Sequence, residues 1–81
     1  MSVTYYVALP FVDSEDGPMP AEAQECPSET IAKIRAEAMS RKPGYVGAVA
    51  FKRSGSPNEG QFGEPTILGT YGLVPESLDE L

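Results

Sequence analysis

The sequence contains no histidine, no tryptophan and a single cysteine, Cys26. Histidine is the commonest general base near neutral pH and the commonest metal ligand, so its absence removes the most frequent catalytic and metal-binding arrangements. One cysteine cannot form an internal disulfide, whereas small secreted domains normally carry several. We therefore predict no catalytic residue, no metal site, no cofactor and no enzymatic activity.

The sequence also has no basic, apolar leader at its start and no apolar run of the roughly 20 residues that a membrane span needs. We expect a cytoplasmic protein without membrane contact. At 81 residues the chain is short enough for one domain, 1–81.

Positive charge is missing from two long stretches. Residues 1–32 and 54–81 hold eleven of the twelve acids and no base, while all six bases lie within 33–53, for a net charge of −6. We interpret the blocks as neutralising one another in the fold. The alternative is a weak nucleic-acid or anionic-ligand binder, although the net charge argues against nucleic acid. Its candidate anion-binding residues are Arg35, Arg41, Lys42, Lys52 and Arg53.

The first part of the chain predicts two strands. Val3–Val12 alternates apolar side chains at a period of two, and Pro10 indicates that this strand ends there or lies at an edge. Residues 12–20 form a loop rich in proline and acids. Ala21–Cys26 is ambiguous, but a short strand here would pair back on the first strand as a hairpin.

Ser28–Lys42 is the one predicted helix. Ser28 is a favourable N-cap, and Pro43 and Gly44 stop the helix. Ile31, Ile34 and Ala38 form an apolar stripe at helical spacing, which Ala32 and Met39 widen.

Two more strands follow the helix. Tyr45–Arg53 is apolar on both faces, and Glu64–Val74 alternates again. A polar, glycine-rich loop, 54–63, connects them, and 75–81 is a loose tail. The predicted fold is α+β: a single-layer antiparallel or mixed sheet of three to four strands with one helix packed on it, in the order ββαββ.

The chain resembles a family of small uncharacterised bacterial proteins. Four segments carry the likeness, together with the loop from Gly55 to Gly60: Tyr6–Phe11, Glu22–Cys26, Arg35–Ala38 and Gly47–Phe51. The resemblance covers Thr4–Pro75. It implies no activity and no site residue.

Cys26 lies just before the N-terminus of the predicted helix, where helix dipoles can stabilise a thiolate. A thiol-based redox-responsive protein is therefore one alternative function. A packed, inert cysteine is the interpretation we favour, because the chain has neither a histidine base nor a second cysteine.

The favoured hypothesis is a small interaction module that self-associates as a homodimer, or that binds another protein. One helix is about 10 Å across, whereas four strands span roughly 19 Å, so one sheet face stays uncovered. We assign Val46, Ala48, Ala50 and Leu68 to that uncovered face as the predicted interface. A second copy would bury them.

Overall fold

The structure is a computed structural model that describes residues 3–56 and 60–75. One helix packs on an antiparallel sheet, which confirms the predicted α+β class. The elements run β1 (Val3–Val12), β2 (Met19–Pro20), β3 (Gln24–Cys26), α1 (Glu29–Ser40), β4 (Gly47–Ser56), β5 (Gln61–Phe62) and β6 (Thr66–Gly72).

The centre of the sheet is the long antiparallel pair of β1 and β4, which is in register from Val3↔Gly55 to Phe11↔Gly47. On the outer side of β1, β3 pairs with its first half and β2 with its end. On the outer side of β4, β5 and β6 pair in the same way. The six segments therefore occupy four positions across the sheet, and the predicted hairpin of β1 with the strand at Cys26 is confirmed.

Pro10 lies inside β1, although the sequence suggests a strand end or an edge there. Its carbonyl accepts a hydrogen bond from the Ala21 N–H at 2.8 Å, so the Pro10 backbone faces the side of β1 that carries β2 and β3. Pro10 falls between the pairing of Ala8 with β3 and the pairing of Phe11 with β2. Proline has no N–H to donate to a neighbouring strand, but on this side no strand residue is paired with Pro10. No hydrogen bond of the sheet is therefore lost, and β1 continues through Pro10.

The helix begins where the sequence predicts. The Ser28 hydroxyl accepts a hydrogen bond from the Ile31 N–H at 3.2 Å, and Glu29 lies in the first turn. The end differs by two residues, because α1 stops at Ser40 and Arg41 is the C-cap. Gly44, with φ +95°, then turns the chain towards β4.

Replacing Ser28 with alanine is expected to lower the free energy of unfolding by about 1 kcal/mol, because the Ile31 N–H loses its acceptor. Urea titration followed by circular dichroism measures the change. Ser28→Asp is the matched control, since aspartate also caps helices, and it should retain most of the stability. Equal loss in both variants would contradict the capping role.

The core lies on both faces of the sheet. We call the first part the helix-side core; it lies between α1 and the sheet and comprises Ala8, Cys26, Ala32, Ala36, Met39, Ala48 and Ala50. We call the opposite surface of the sheet the far face; its core is Leu9, Phe11, Val49 and Phe51, against which Val7, Val46 and Val74 pack. As predicted, β4 is apolar on both faces, but the helix side carries mainly alanines and the far face the large residues.

The predicted apolar stripe of α1 is right for Ala32 and Met39 but wrong for Ile34 and Ala38. The residues of α1 that are buried against the sheet are Ala32, Ala36 and Met39. Ala38 is exposed, and Ile34 keeps 59% of its surface accessible. The helix presents its smaller residues to the sheet because alanine lets the two backbones approach closely.

The boundaries predicted for the loops are too wide. Val12 ends β1, Met19 and Pro20 form β2, β4 continues to Ser56, and β5 lies within 54–63. Of the predicted tail, Pro75 is described and has no regular structure; 76–81 lies outside the described residues.

Candidate functional site: the far face of the sheet

A shallow depression of about 440 Å³ opens on the far face, and we call it the far-face groove. Its lining is mostly apolar and consists of Tyr5, Val7, Ala23, Glu25, Phe51 and Arg53. Interfaces between proteins are typically apolar at the centre and polar at the rim. The groove has this composition.

The register of the strands explains why these side chains meet. Val7 of β1 stands opposite Phe51 on one side and opposite Glu25 on the other, while Tyr5 stands opposite Arg53. Directly paired residues of antiparallel strands point to the same face. The odd-numbered positions of β1 and β4 therefore form the groove.

The groove continues into apolar surface at one side. Ile67 of β6 pairs with Phe51 across a β-bulge, and 39% of its surface is accessible. Tyr5 and Val7 are half-buried, whereas Phe51 is 8% exposed and belongs to the far-face core. Towards the other end of the strands, Val46 and Val74 pack on Phe11 and its neighbours. The accessible apolar surface is thus concentrated at the Tyr5 end.

Two opposite charges flank this surface. Glu25 lies on β3 and Arg53 on β4, with β1 between them, so about 10 Å separates them across the strands. Their partners on β1 are two residues apart, which offsets them by about 7 Å along the strands. The groove therefore carries a negative side and a positive side.

The predicted interface is on the wrong face for three of its four residues. Ala48 and Ala50 are fully buried beneath α1, and Leu68 packs against the helix-side core. Val46 is half-buried and packs on the far-face core. The error arose because the alternation of β4 does not say which face the helix covers.

Sequence reasoning missed Val7 and Phe51 as candidate interface residues. The signal that could have found them is residue size. Alanines in β4 alternate with Val49 and Phe51, and α1 carries Ala32 and Ala36 one turn apart. A close helix–sheet contact needs the small residues, which leaves the large ones for the other face.

The five predicted anion-binding residues do not form one patch. Arg35, Arg41 and Lys42 belong to α1 and its end, whereas Arg53 lies on the far face and its neighbour Lys52 points to the opposite side. Arg41 is also paired with Glu37, Nη2 to Oε1 at 2.7 Å. This separation weakens the hypothesis of an anion-binding block.

Cys26 belongs to the helix-side core and is 5% exposed. Its thiol donates a long hydrogen bond to the Gln24 carbonyl at 3.6 Å. Reactive cysteines are partly exposed, so this burial argues against the redox alternative, which stays a prediction.

No family model, curated protein or solved structure matches this chain. The interpretation of the groove therefore starts from its own chemistry. Within 3–56 and 60–75, no three potential metal ligands come together. In the same part of the chain, no helix has both the length and the apolar character to span a bilayer.

Proposed function

We propose that this chain is a non-enzymatic interaction module that forms a symmetric homodimer through the far-face groove. The observation that carries the proposal is the groove itself, an apolar surface around Tyr5 and Val7 with a negative residue on one side and a positive residue on the other, together with the exposed Ile67 beyond Phe51. Burial of accessible apolar surface is the driving force, at roughly 25 cal/mol per Å² before the costs of association.

The charges of the groove are self-complementary. If two copies meet face to face about a two-fold axis parallel to β1, each Arg53 lies over the side of the partner that carries Glu25. The offset of about 7 Å along the strands is within the reach of an arginine and a glutamate side chain together. Because of the two-fold symmetry, the contact between Arg53 of one copy and Glu25 of the other forms twice. The charge pattern therefore favours a symmetric homodimer.

The size of the face suits a weak dimer. Four strand positions are roughly 19 Å wide, and a ten-residue strand such as β4 is about 34 Å long. Complete overlap of two such faces would bury about 1,300 Å² in total, which is an upper limit because the accessible apolar surface is concentrated at the Tyr5 end, and which lies at the lower end of stable interfaces. We expect a dimer with a dissociation constant in the micromolar range. The free energy gained by burying so small an area only slightly exceeds the entropic cost of bringing two chains together.

A charge-reversal mixing experiment tests the dimer. Arg53→Glu places Glu25 against a glutamate in its own homodimer, and Glu25→Arg places Arg53 against an arginine. Each variant alone should dimerise at least about tenfold more weakly than the parent chain, because like charges then face each other. In an equimolar mixture, both contacts of the heterodimer are again between opposite charges, and dimerisation should return.

Sedimentation velocity across a micromolar concentration series measures all four samples. Lys42→Glu, which changes a charge on the helix side of the molecule, is the matched control and should dimerise like the parent. A monomeric parent chain at high micromolar concentration would overturn the proposal. So would a mixture that associates no better than its components, since only contacts between two copies can produce the rescue.

A further inference from the structure

A second groove lies on the other side of the molecule, between α1 and β3, and we call it the helix groove. It has a volume of about 330 Å³, with Gln24 of β3 at its border. Ile31, Ile34 and Ala38 of α1 line it, and Ile34 is 59% exposed. A single exposed isoleucine is common on a protein surface, but here Ile31 and Ala38 lie beside Ile34 in the lining of the same groove.

The helix carries two apolar stripes, of which the chain's own core uses one. Ala32 and Ala36 are fully buried towards the sheet. Ile31, Ile34 and Ala38 form the second stripe at spacings of three and four residues, which is the spacing of a seam between two packed helices. Ile31 also packs against the helix-side core, so the accessible part of this stripe is centred on Ile34.

Two of the basic residues beside this stripe have no ion-pair partner within 3–56 and 60–75. Lys33 and Arg41 form ion pairs with acids one turn away, Glu29 and Glu37. Arg35 and Lys42, which line the helix groove, make no salt bridge with any residue that the structure describes. They are exposed, in a chain with a net charge of −6. Two exposed cations beside an apolar seam favour a negatively charged ligand.

The spacing of these cations defines the ligand further. Arg35 lies in α1, and Lys42 lies two residues beyond its last residue, Ser40; seven residues correspond to about 10 Å along the axis of α1 if that axis is continued past its end. A second helix lying along α1 can present two acidic residues at the same spacing, seven apart. An α1 helix from a second copy in antiparallel orientation would instead bring the same two cations, and like charges would meet.

We propose that the helix groove binds an amphipathic acidic helix of another protein. The ligand helix has apolar residues at positions i, i+3 and i+7, which pack on Ile31, Ile34 and Ala38, and two carboxylates seven residues apart, which pair with Arg35 and Lys42. This site is separate from the far-face groove, and it does not depend on the homodimer.

Two synthetic 14-residue helical peptides test the proposal. Both carry the same apolar stripe; one has glutamates at the two flanking positions, and the other has lysines there. Titration into the ¹⁵N-labelled protein should shift the amide signals of Ile31, Ile34 and Ala38, and the acidic peptide should bind about tenfold more tightly than the basic one.

Variants of the groove locate the binding. Ile34→Asp should abolish binding of the acidic peptide, and the double variant Arg35→Glu, Lys42→Glu should reverse the preference between the peptides. Ile67→Asp, a matched change of an exposed residue on the far face, should leave binding unchanged. Equal affinity for both peptides, shifts confined to the far face, or no binding of the acidic peptide would overturn the proposal. A monomeric chain would not by itself overturn this proposal, because the titrations measure peptide binding at α1 and not dimerisation.

Discussion

Replacing Gly47 with alanine is expected to destabilise the protein by about 3 kcal/mol or more, a large part of the roughly 4–12 kcal/mol that stabilises a domain of this length. A Cβ at position 47 would overlap the Leu73 carbonyl oxygen and lie 2.6 Å from the Leu73 carbonyl carbon. Both atoms are backbone, so no side chain can rotate away. Relief requires moving the segment that follows β6, which breaks the hydrogen bond from the Leu73 N–H to the Val46 carbonyl at 2.9 Å.

Urea unfolding, followed by circular dichroism, measures this change. Gly63→Ala is the matched control, because a Cβ there would meet the Ser54 carbonyl oxygen at 3.5 Å, an ordinary contact. The control should unfold within about 0.5 kcal/mol of the parent chain. A Gly47→Ala variant as stable as this control would show that the segment after β6 does not pack on the start of β4.

Replacing Ala36 with lysine is expected to unfold the protein. Ala36 is fully buried between α1 and the sheet, in a core whose neighbours include Ala8 and Ala50. A lysine there would bury an unpaired ammonium group and add three side-chain carbons to a closely packed contact. The variant should lose its folded circular dichroism and near-ultraviolet signals at room temperature.

The same substitution at Ala38 provides the control. Ala38 lies on the same helix, two residues further on, and is exposed. Ala38→Lys should unfold at nearly the same urea concentration as the parent, because lysine is a good helix former and its charge stays in water. The sequence-predicted stripe gives the opposite ranking, since it buries Ala38. If lysine at position 38 lowers the stability to urea more than lysine at position 36, the stripe predicted from the sequence is supported and the rotation of α1 in the structure is contradicted.

The strands and the helix were predictable because local signals specify them. The alternation of Val3–Val12 predicts β1, although Pro10 suggested a strand end or an edge inside it. Ser28 and the Pro43–Gly44 pair define the helix to within two residues at its end. These features depend on side-chain period and on backbone chemistry, both of which can be read within a short window of sequence.

The assignment of faces was not predictable from the same patterns. An alternating strand with apolar residues on both sides does not specify which side receives the helix. In α1, the larger residues Ile31 and Ile34 indicate one buried stripe, while close packing on the sheet requires Ala32 and Ala36. Side-chain volume determines which face of α1 is buried, because large side chains on that face would hold the helix away from the sheet.

The candidate site could be predicted even less. Tyr5, Glu25 and Arg53 come from three separate strands, and they meet only through the pairing of β1 with both β3 and β4. The order of strands in a sheet is a long-range property. The two apolar faces of β4 therefore suggested an interaction module, but most of the predicted interface was placed on the sheet face that α1 covers.

The central pair of strands also has a consequence for the rate of folding. β1 can pair with β3 across a short hairpin, but its long partner β4 begins at Gly47, after the whole helix. Sheets that join distant parts of a chain fold slowly, because the entropy of loop closure is lost before the contacts form. Until β4 docks, Leu9 and Phe11 lack their neighbours Val49 and Phe51. We therefore expect these apolar side chains to stay accessible to solvent until the second half of the chain has paired with the first.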